Sequence, residues 1–132
     1  NAGLVRDIDD IKSIVRNGGE QIIDARAAAR FKAEAPEPRK GLRSGHMPGA
    51  FNLPFTNLLN EDGTLKSADE LRAAFESAGV NQRQPAVTSC GSGVTACVLS
   101  LAMAVIGNPD VPVYDGSWSE WGDENSGGDV VV

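Results

Sequence analysis

The chemistry-bearing stretch of this chain is Cys90-Gly91-Ser92-Gly93-Val94-Thr95, set between a four-residue run, Ala86 to Ser89, and an uncharged apolar segment, Val94 to Ile106. The run has the make-up of a buried parallel strand and the segment has the length of a helix. A cysteine leaving the carboxyl end of a strand and meeting a helix amino terminus stands where open α/β sheets place their ligands. Unpaired amides and the positive helix end stabilise an anion there, so the spacing predicts a nucleophilic thiolate at Cys90. Gly91 and Gly93 lack a Cβ, which lets the loop take positive φ and turn its N–H groups inward as an anion nest. Ser92 and Thr95 add hydroxyl donors. A packed, unreactive cysteine beside a glycine turn fits the same spacing equally well.

A second group of residues could bind what such a thiolate attacks. Arg30, Lys32, Arg39, Lys40 and Arg43 fall in a proline-bearing stretch, 27 to 49, with Glu34 and Glu37 as the opposing charges. That stretch is locally cationic in an acidic chain, and guanidinium groups grip planar carboxylates in a two-pronged way. His46, in Gly45-His46-Met47-Pro48-Gly49-Ala50, admits a cysteine–histidine hydrolase with Cys90 as nucleophile. A hydrogen-bonded structural histidine is the plainer reading of such a turn. Asp24 and Arg26 read as a pair that fixes the loop after a strand. Phosphate-loop and dinucleotide fingerprints are absent, since Gly91-Ser92-Gly93 lacks both the third glycine and a Gly-Lys-Ser/Thr ending.

Positioning these groups requires a wound α/β sheet. Asp7 caps a helix with Ile8, Ile11, Ile14 and Val15 on one face and Asn17-Gly18 as its stop. Gln21 to Asp24 reads as a strand, followed by a helical start through Phe31 and a long loop of the functional kind. A short strand is expected near Ala50 to Leu53, and a short helix over Pro54 to Leu59. Ser67-Ala68-Asp69-Glu70 is a capping box for a helix that buries Leu71, Phe75 and Ala78 and ends at Gly79. After the central helix, Asn108-Pro109 breaks the chain and Val111 to Tyr114 makes another strand. Trp118 and Trp121 read as core aromatics. This alternation predicts α/β architecture: a parallel β-sheet with helices on both faces, in one domain over 1–125, with 126–132 as a flexible tail.

Composition narrows the function classes. A chain of 132 residues with net charge −6 makes one self-sufficient core and offers no nucleic-acid surface. Two cysteines and one histidine make a multi-ligand metal site and a disulfide framework unexpected, and a reducing, cytoplasmic setting is the default. The dense apolar part from Ala96 to Ile106 falls well short of the roughly 20 residues that a membrane span needs. The chain opens Asn-Ala-Gly rather than with methionine, so a fragment of a longer chain is expected and a preceding targeting segment stays open.

Four motifs, in order along nearly the whole chain, resemble the rhodanese superfamily: Asp24-Ala25-Arg26, Gly45-His46-Met47-Pro48-Gly49-Ala50, the Cys90 loop, and Tyr114-Asp115-Gly116-Ser117-Trp118. The loop over Cys90 to Thr95 is similar to that of the catalytic, C-terminal domain of 3-mercaptopyruvate sulfurtransferases. Thiosulfate sulfurtransferases usually carry cationic side chains where this loop has Gly91 and Ser92. The resemblance implies a single rhodanese-like domain in which Cys90 becomes a persulfide. It also implies that Arg30 and Arg39 hold the substrate's carboxylate and carbonyl, and that the loop cradles the persulfide. The partners implied are a small-molecule sulfur donor, a thiol acceptor such as thioredoxin, and an amino-terminal rhodanese-like domain outside this chain. No metal or organic cofactor is implied, and the histidine turn and Asp-Gly-Ser-Trp segment are implied to be structural.

Three other readings share the fold. A thiosulfate sulfurtransferase would keep the nucleophile and change the donor. A cysteine phosphatase expects arginine six residues after its nucleophile, where this chain has Ala96. A non-catalytic binding module has no use for an intact cysteine loop.

Overall fold

A computed structural model describes residues 5–38, 40–91 and 95–132. Expectations placed on Arg39, Ser92, Gly93 and Val94 lie outside the described residues. Five parallel strands, β1 (Val5–Arg6), β2 (Gln21–Asp24), β3 (Phe51–Asn52), β4 (Ala86–Ser89) and β5 (Val113–Tyr114), form one sheet in the order β1-β5-β4-β2-β3. Five helices separate and follow them: α1 (Ile8–Asn17), α2 (Ala28–Phe31), α3 (Ala68–Ser77), α4 (Ala96–Val105) and α5 (Ser117–Trp121), with a 3-10 turn at Phe55–Leu58. The expected α/β sheet with helices on both faces is what forms.

Local sequence explains the helix starts. Asp7 and Asp10 form a reciprocal capping box, with backbone-to-carboxylate bonds of 3.0 and 2.9 Å. Ser67 and Glu70 do the same at α3, and each such cap contributes about 1 kcal/mol. Helix α4 has no side-chain cap and carries no charged residue, so burial must hold it. It buries Ala96, Leu99, Ala102 and Met103 on one face. Cys97 lies off that face and is exposed.

Strand parity divides the core. Ile23, Ala25, Ala86 and Cys90 face α3, α4 and the 3-10 turn, packing with Leu58, Leu71, Phe75, Leu99 and Met103. Ile22, Val87 and Tyr114 face the other way, against Ile11 of α1 and Trp118 and Trp121 of α5. Complete burial of each large apolar side chain contributes about 1.5–3 kcal/mol. Ala78, expected in the first cluster, only borders it.

Several boundaries shift for backbone reasons. The last strand begins at Val113 rather than Val111, because Pro112 has no N–H to donate and offers its carbonyl to Thr88 N at 3.0 Å. The edge strand β1 was not anticipated; two residues carry too little pattern to be seen. The expected tail at 126–132 is stitched to the body. Val131 and His46 exchange two backbone bonds of 2.9 Å, Trp121 Nε1 donates to Asp129 O at 2.8 Å, and Arg43 Nη2 donates to Gly128 O at 2.8 Å. These partners are 8 to 85 residues away in sequence, beyond the reach of local pattern.

Candidate active site

The chain turns from β2 toward β3 on one side of the sheet and from β4 toward β5 on the other, so the winding reverses between β2 and β4. Ligands in open α/β sheets bind at the carboxyl ends of strands flanking such a reversal. Cys90 follows β4 there, and α2, carrying Arg30, follows β2.

Cys90 is 1% exposed, and three hydrogen bonds hold the backbone of Cys90 and Gly91. Its N–H donates to Ser117 Oγ at 3.1 Å, its carbonyl accepts from Trp118 N at 2.8 Å, and the next carbonyl, of Gly91, accepts from Ser119 N at 2.9 Å. Ser117 Oγ donates to Tyr114 O at 2.8 Å and lies 3.9 Å from Cys90 Sγ. Ser117 adopts φ 49°, the left-handed region, while fully buried. Strain of this kind concentrates at functional sites. Ser117 thus fixes the backbone at Cys90, and no local signal marks this contact because its partner lies 27 residues upstream.

Arg30 approaches the loop from α2. Its Nη2 and Nη1 lie 3.1 and 3.7 Å from where a Cβ on Gly91 would sit. Gly91 does not take the left-handed φ expected of a nest residue; its missing side chain instead makes room for the guanidinium. Arg30 is not an open cation, since Nε and Nη2 donate to Glu37 Oε2 and Oε1 at 3.2 and 2.7 Å. That bond, with smaller contributions from nearby Asp24 and Cys90, holds the guanidinium above its usual pKa. Thr95, the remaining described loop residue, precedes α4 and is partly buried.

Glu37 also accepts from Arg26 Nη1 at 3.2 Å. Arg26 grips Asp24 through Nε and Nη2 at 2.8 to 3.1 Å, donates to Gly45 O at 2.7 Å, and stacks 4.1 Å over the Trp118 ring. The Asp24–Arg26 pair thus fixes the loop, as its position at a strand end suggested. Arg43 is spent on carbonyls of Trp121, Gly122 and Gly128, and does not serve the site. His46 Nδ1 bonds Phe31 O at 2.8 Å and its ring stacks on Phe31 at 3.7 Å. Those contacts fit the structural histidine.

Among the described residues no cluster of His, Cys, Asp and Glu could hold a metal ion, and no helix is long and apolar enough to cross a membrane. A cavity of about 750 Å³, bordered by Arg72, Glu76, Arg83 and Asn108, opens at the opposite end of β4. It contains no nucleophile.

Comparison with known proteins agrees with this geometry. The model of the rhodanese-like domain matches residues 7–124. The 3-mercaptopyruvate sulfurtransferase of Escherichia coli K12 is 52% identical over 122 residues, covering 92% of this chain and 43% of that protein. The thiosulfate sulfurtransferase of Rattus norvegicus is 45% identical, covering 92% and 41%. Among solved structures, the E. coli 3-mercaptopyruvate sulfotransferase SseA superposes with TM-score 0.76 at 49% identity, covering 91% of this chain and 44% of that one. The Tum1 protein of Saccharomyces cerevisiae superposes with TM-score 0.82 at 33% identity, covering 91% and 43%. The chain spans about two-fifths of the length of these relatives. With the rhodanese-like domain model matching residues 7–124 and 52% identity to the E. coli enzyme over 92% of its own length, the chain belongs to the rhodanese family.

Proposed function

We propose that this domain is the nucleophile-bearing part of a sulfurtransferase whose donor is 3-mercaptopyruvate. The observation that carries the reading is the approach of the Arg30 guanidinium to Gly91, the residue next to Cys90, at the reversal point of the sheet. A nucleophile and a carboxylate-binding cation converge on one loop. The similarity to E. coli and human 3-mercaptopyruvate sulfurtransferases supports the donor class.

In the first step the Cys90 thiolate attacks the donor sulfur. The new S–S bond forms as the donor C–S bond breaks, its electron pair leaving on carbon as the enolate of pyruvate, which takes a proton from water. Arg30, with Arg39, neutralises the charge on the leaving oxygens. In the second step an acceptor thiolate, with reduced thioredoxin as one candidate, attacks the outer sulfur and releases the Cys90 thiolate. The remaining length of the relatives corresponds to a second domain that completes the cleft. A cytoplasmic setting is part of the same proposal.

Intact-protein mass tests the reading after brief exposure to 3-mercaptopyruvate or thiosulfate, with a Cys90→Ser control and pyruvate measured in parallel. A gain of one sulfur atom that needs Cys90, is greater with 3-mercaptopyruvate and yields equimolar pyruvate is the expected result. Gain from thiosulfate alone moves the donor to the second reading, which the rat thiosulfate sulfurtransferase favours. No gain in this chain or in the full-length protein sinks the catalytic reading and leaves a binding module.

A further inference from the structure

A guanidinium has two edges able to grip a carboxylate, and Arg30 uses them differently. The Nε/Nη2 edge is occupied by Glu37 at 3.2 and 2.7 Å. The Nη1/Nη2 edge faces the loop at Gly91. Glu37 is itself immobilised: its side chain is 1% exposed and bonds Arg26, which Asp24, Gly45 O and the Trp118 ring hold in turn. Trp118 N in turn bonds Cys90 O, so the chain of contacts from Glu37 returns to the nucleophile. The Arg30 side chain is 27% exposed and long, and without an anchor it would sample many rotamers.

We propose that Glu37 is the positioning residue for anionic donors: by filling one edge of Arg30 it aims the other edge toward Gly91, beside Cys90, where that edge takes the donor carboxylate. The inference rests on Arg30 being the carboxylate ligand of the proposed reaction. A buried carboxylate this close has two effects of opposite sign. Its charge weakens the attraction of Arg30 for an anion, whereas its geometry fixes the receiving edge. Positioning is the greater effect in this proposal.

The opposition of signs supplies the test. In a Cys97→Ser background, where Cys90 is the one remaining thiol, the alkylation rate is measured with iodoacetate and with iodoacetamide. The two reagents share an electrophile and differ in the carboxylate, so their rate ratio reads carboxylate capture beside Cys90 and cancels general changes in thiol reactivity. Glu37→Gln is expected to lower the iodoacetate-to-iodoacetamide ratio about threefold or more, by loss of a two-pronged contact. Glu37→Asp keeps the charge but shortens the reach. It is also expected to lower the ratio, and it carries the test should Glu37→Gln fail to fold. Arg30→Gln is expected to lower it as far, with no additional fall on adding Glu37→Gln, as for two residues acting through one contact.

A ratio that rises or holds steady in the Glu37 variants, while Arg30→Gln lowers it, overturns the positioning role and leaves Arg30 as ligand. A ratio unmoved by Arg30→Gln removes Arg30 from the proposed reaction, and the role of Glu37 with it.

Discussion

Ser117 Oγ accepts the backbone N–H of Cys90 at 3.1 Å and stands 3.9 Å from its sulfur. Two segments that are 27 residues apart therefore share the nucleophile, one supplying the thiol and the other fixing the backbone beneath it. The serine is fully buried and held at φ 49°, a conformation that a side chain disfavours.

Ser117→Ala leaves the Cys90 N–H buried without its acceptor, which costs about 1–3 kcal/mol. Ser117→Gly loses the same bond but relieves the left-handed backbone, which returns about 1 kcal/mol. Urea unfolding should therefore rank wild type above Ser117→Gly and Ser117→Gly above Ser117→Ala. An alanine variant as stable as the glycine variant would show that the strain at position 117 is not there.

Gly91 is required for space rather than for backbone freedom. A Cβ there would lie 3.1 Å from Arg30 Nη2, which belongs to the far end of a flexible side chain. Gly91→Ala should consequently cost under about 1 kcal/mol in stability, while displacing the guanidinium from the loop. Steady-state kinetics with 3-mercaptopyruvate should show KM raised several-fold and kcat lowered as well, because the displaced guanidinium no longer holds the donor carboxylate or neutralises the charge on the leaving oxygens. An unchanged KM would separate Arg30 from the donor.

Arg26 is the keystone of the buried charges. Its side chain is fully buried and pairs with Asp24 and Glu37, whose side chains are 3% and 1% exposed. Arg26→Met leaves both carboxylates without it, a loss of about 3–5 kcal/mol. Arg26→Lys keeps the charge but cannot hold Asp24 through two nitrogens while reaching Gly45 O, so it should fall between. Denaturant midpoints of the three proteins check the order, and a methionine variant within about 1 kcal/mol of wild type would contradict it.

What the sequence showed and what it hid follow from the range of the forces involved. The capping residues Asp7 and Ser67, the strand from Gln21 to Asp24 and the apolar strand before Cys90 act over a few residues, so pattern alone exposed them. Arg30 and Cys90 were named as partners through family resemblance, and their approach depends on a crossover of 60 residues that no local pattern encodes. Glu37 was counted merely as an opposing charge. Its function emerges only when two arginines, 7 and 11 residues before it, are seen to meet it below the surface. The stitched segment at 126–132 was missed for the same reason, because its backbone bonds, to the His46 backbone and the Arg43 guanidinium, leave no trace in the segment's own side-chain pattern.

Tyr114 ties the same region to pH. It is buried, and its hydroxyl donates to Glu120 Oε1 at 2.6 Å. Burial first, and then the bond to Glu120, push its ionisation well above the usual tyrosine range. An unfolded tyrosine loses its proton near pH 10, whereas this one keeps it. Above about pH 10 the folded state thus binds more protons than the unfolded state, and stability falls with rising pH by up to about 1.4 kcal/mol per unit from this group. Below that range its contribution is fully present. Tyr114→Phe removes the titrating group, so the stability difference between wild type and the variant should be constant from pH 7 to about 9 and shrink above about 10. Urea unfolding of both proteins at pH 8 and at pH 11 measures it, and an equal difference at the two values would refute the link.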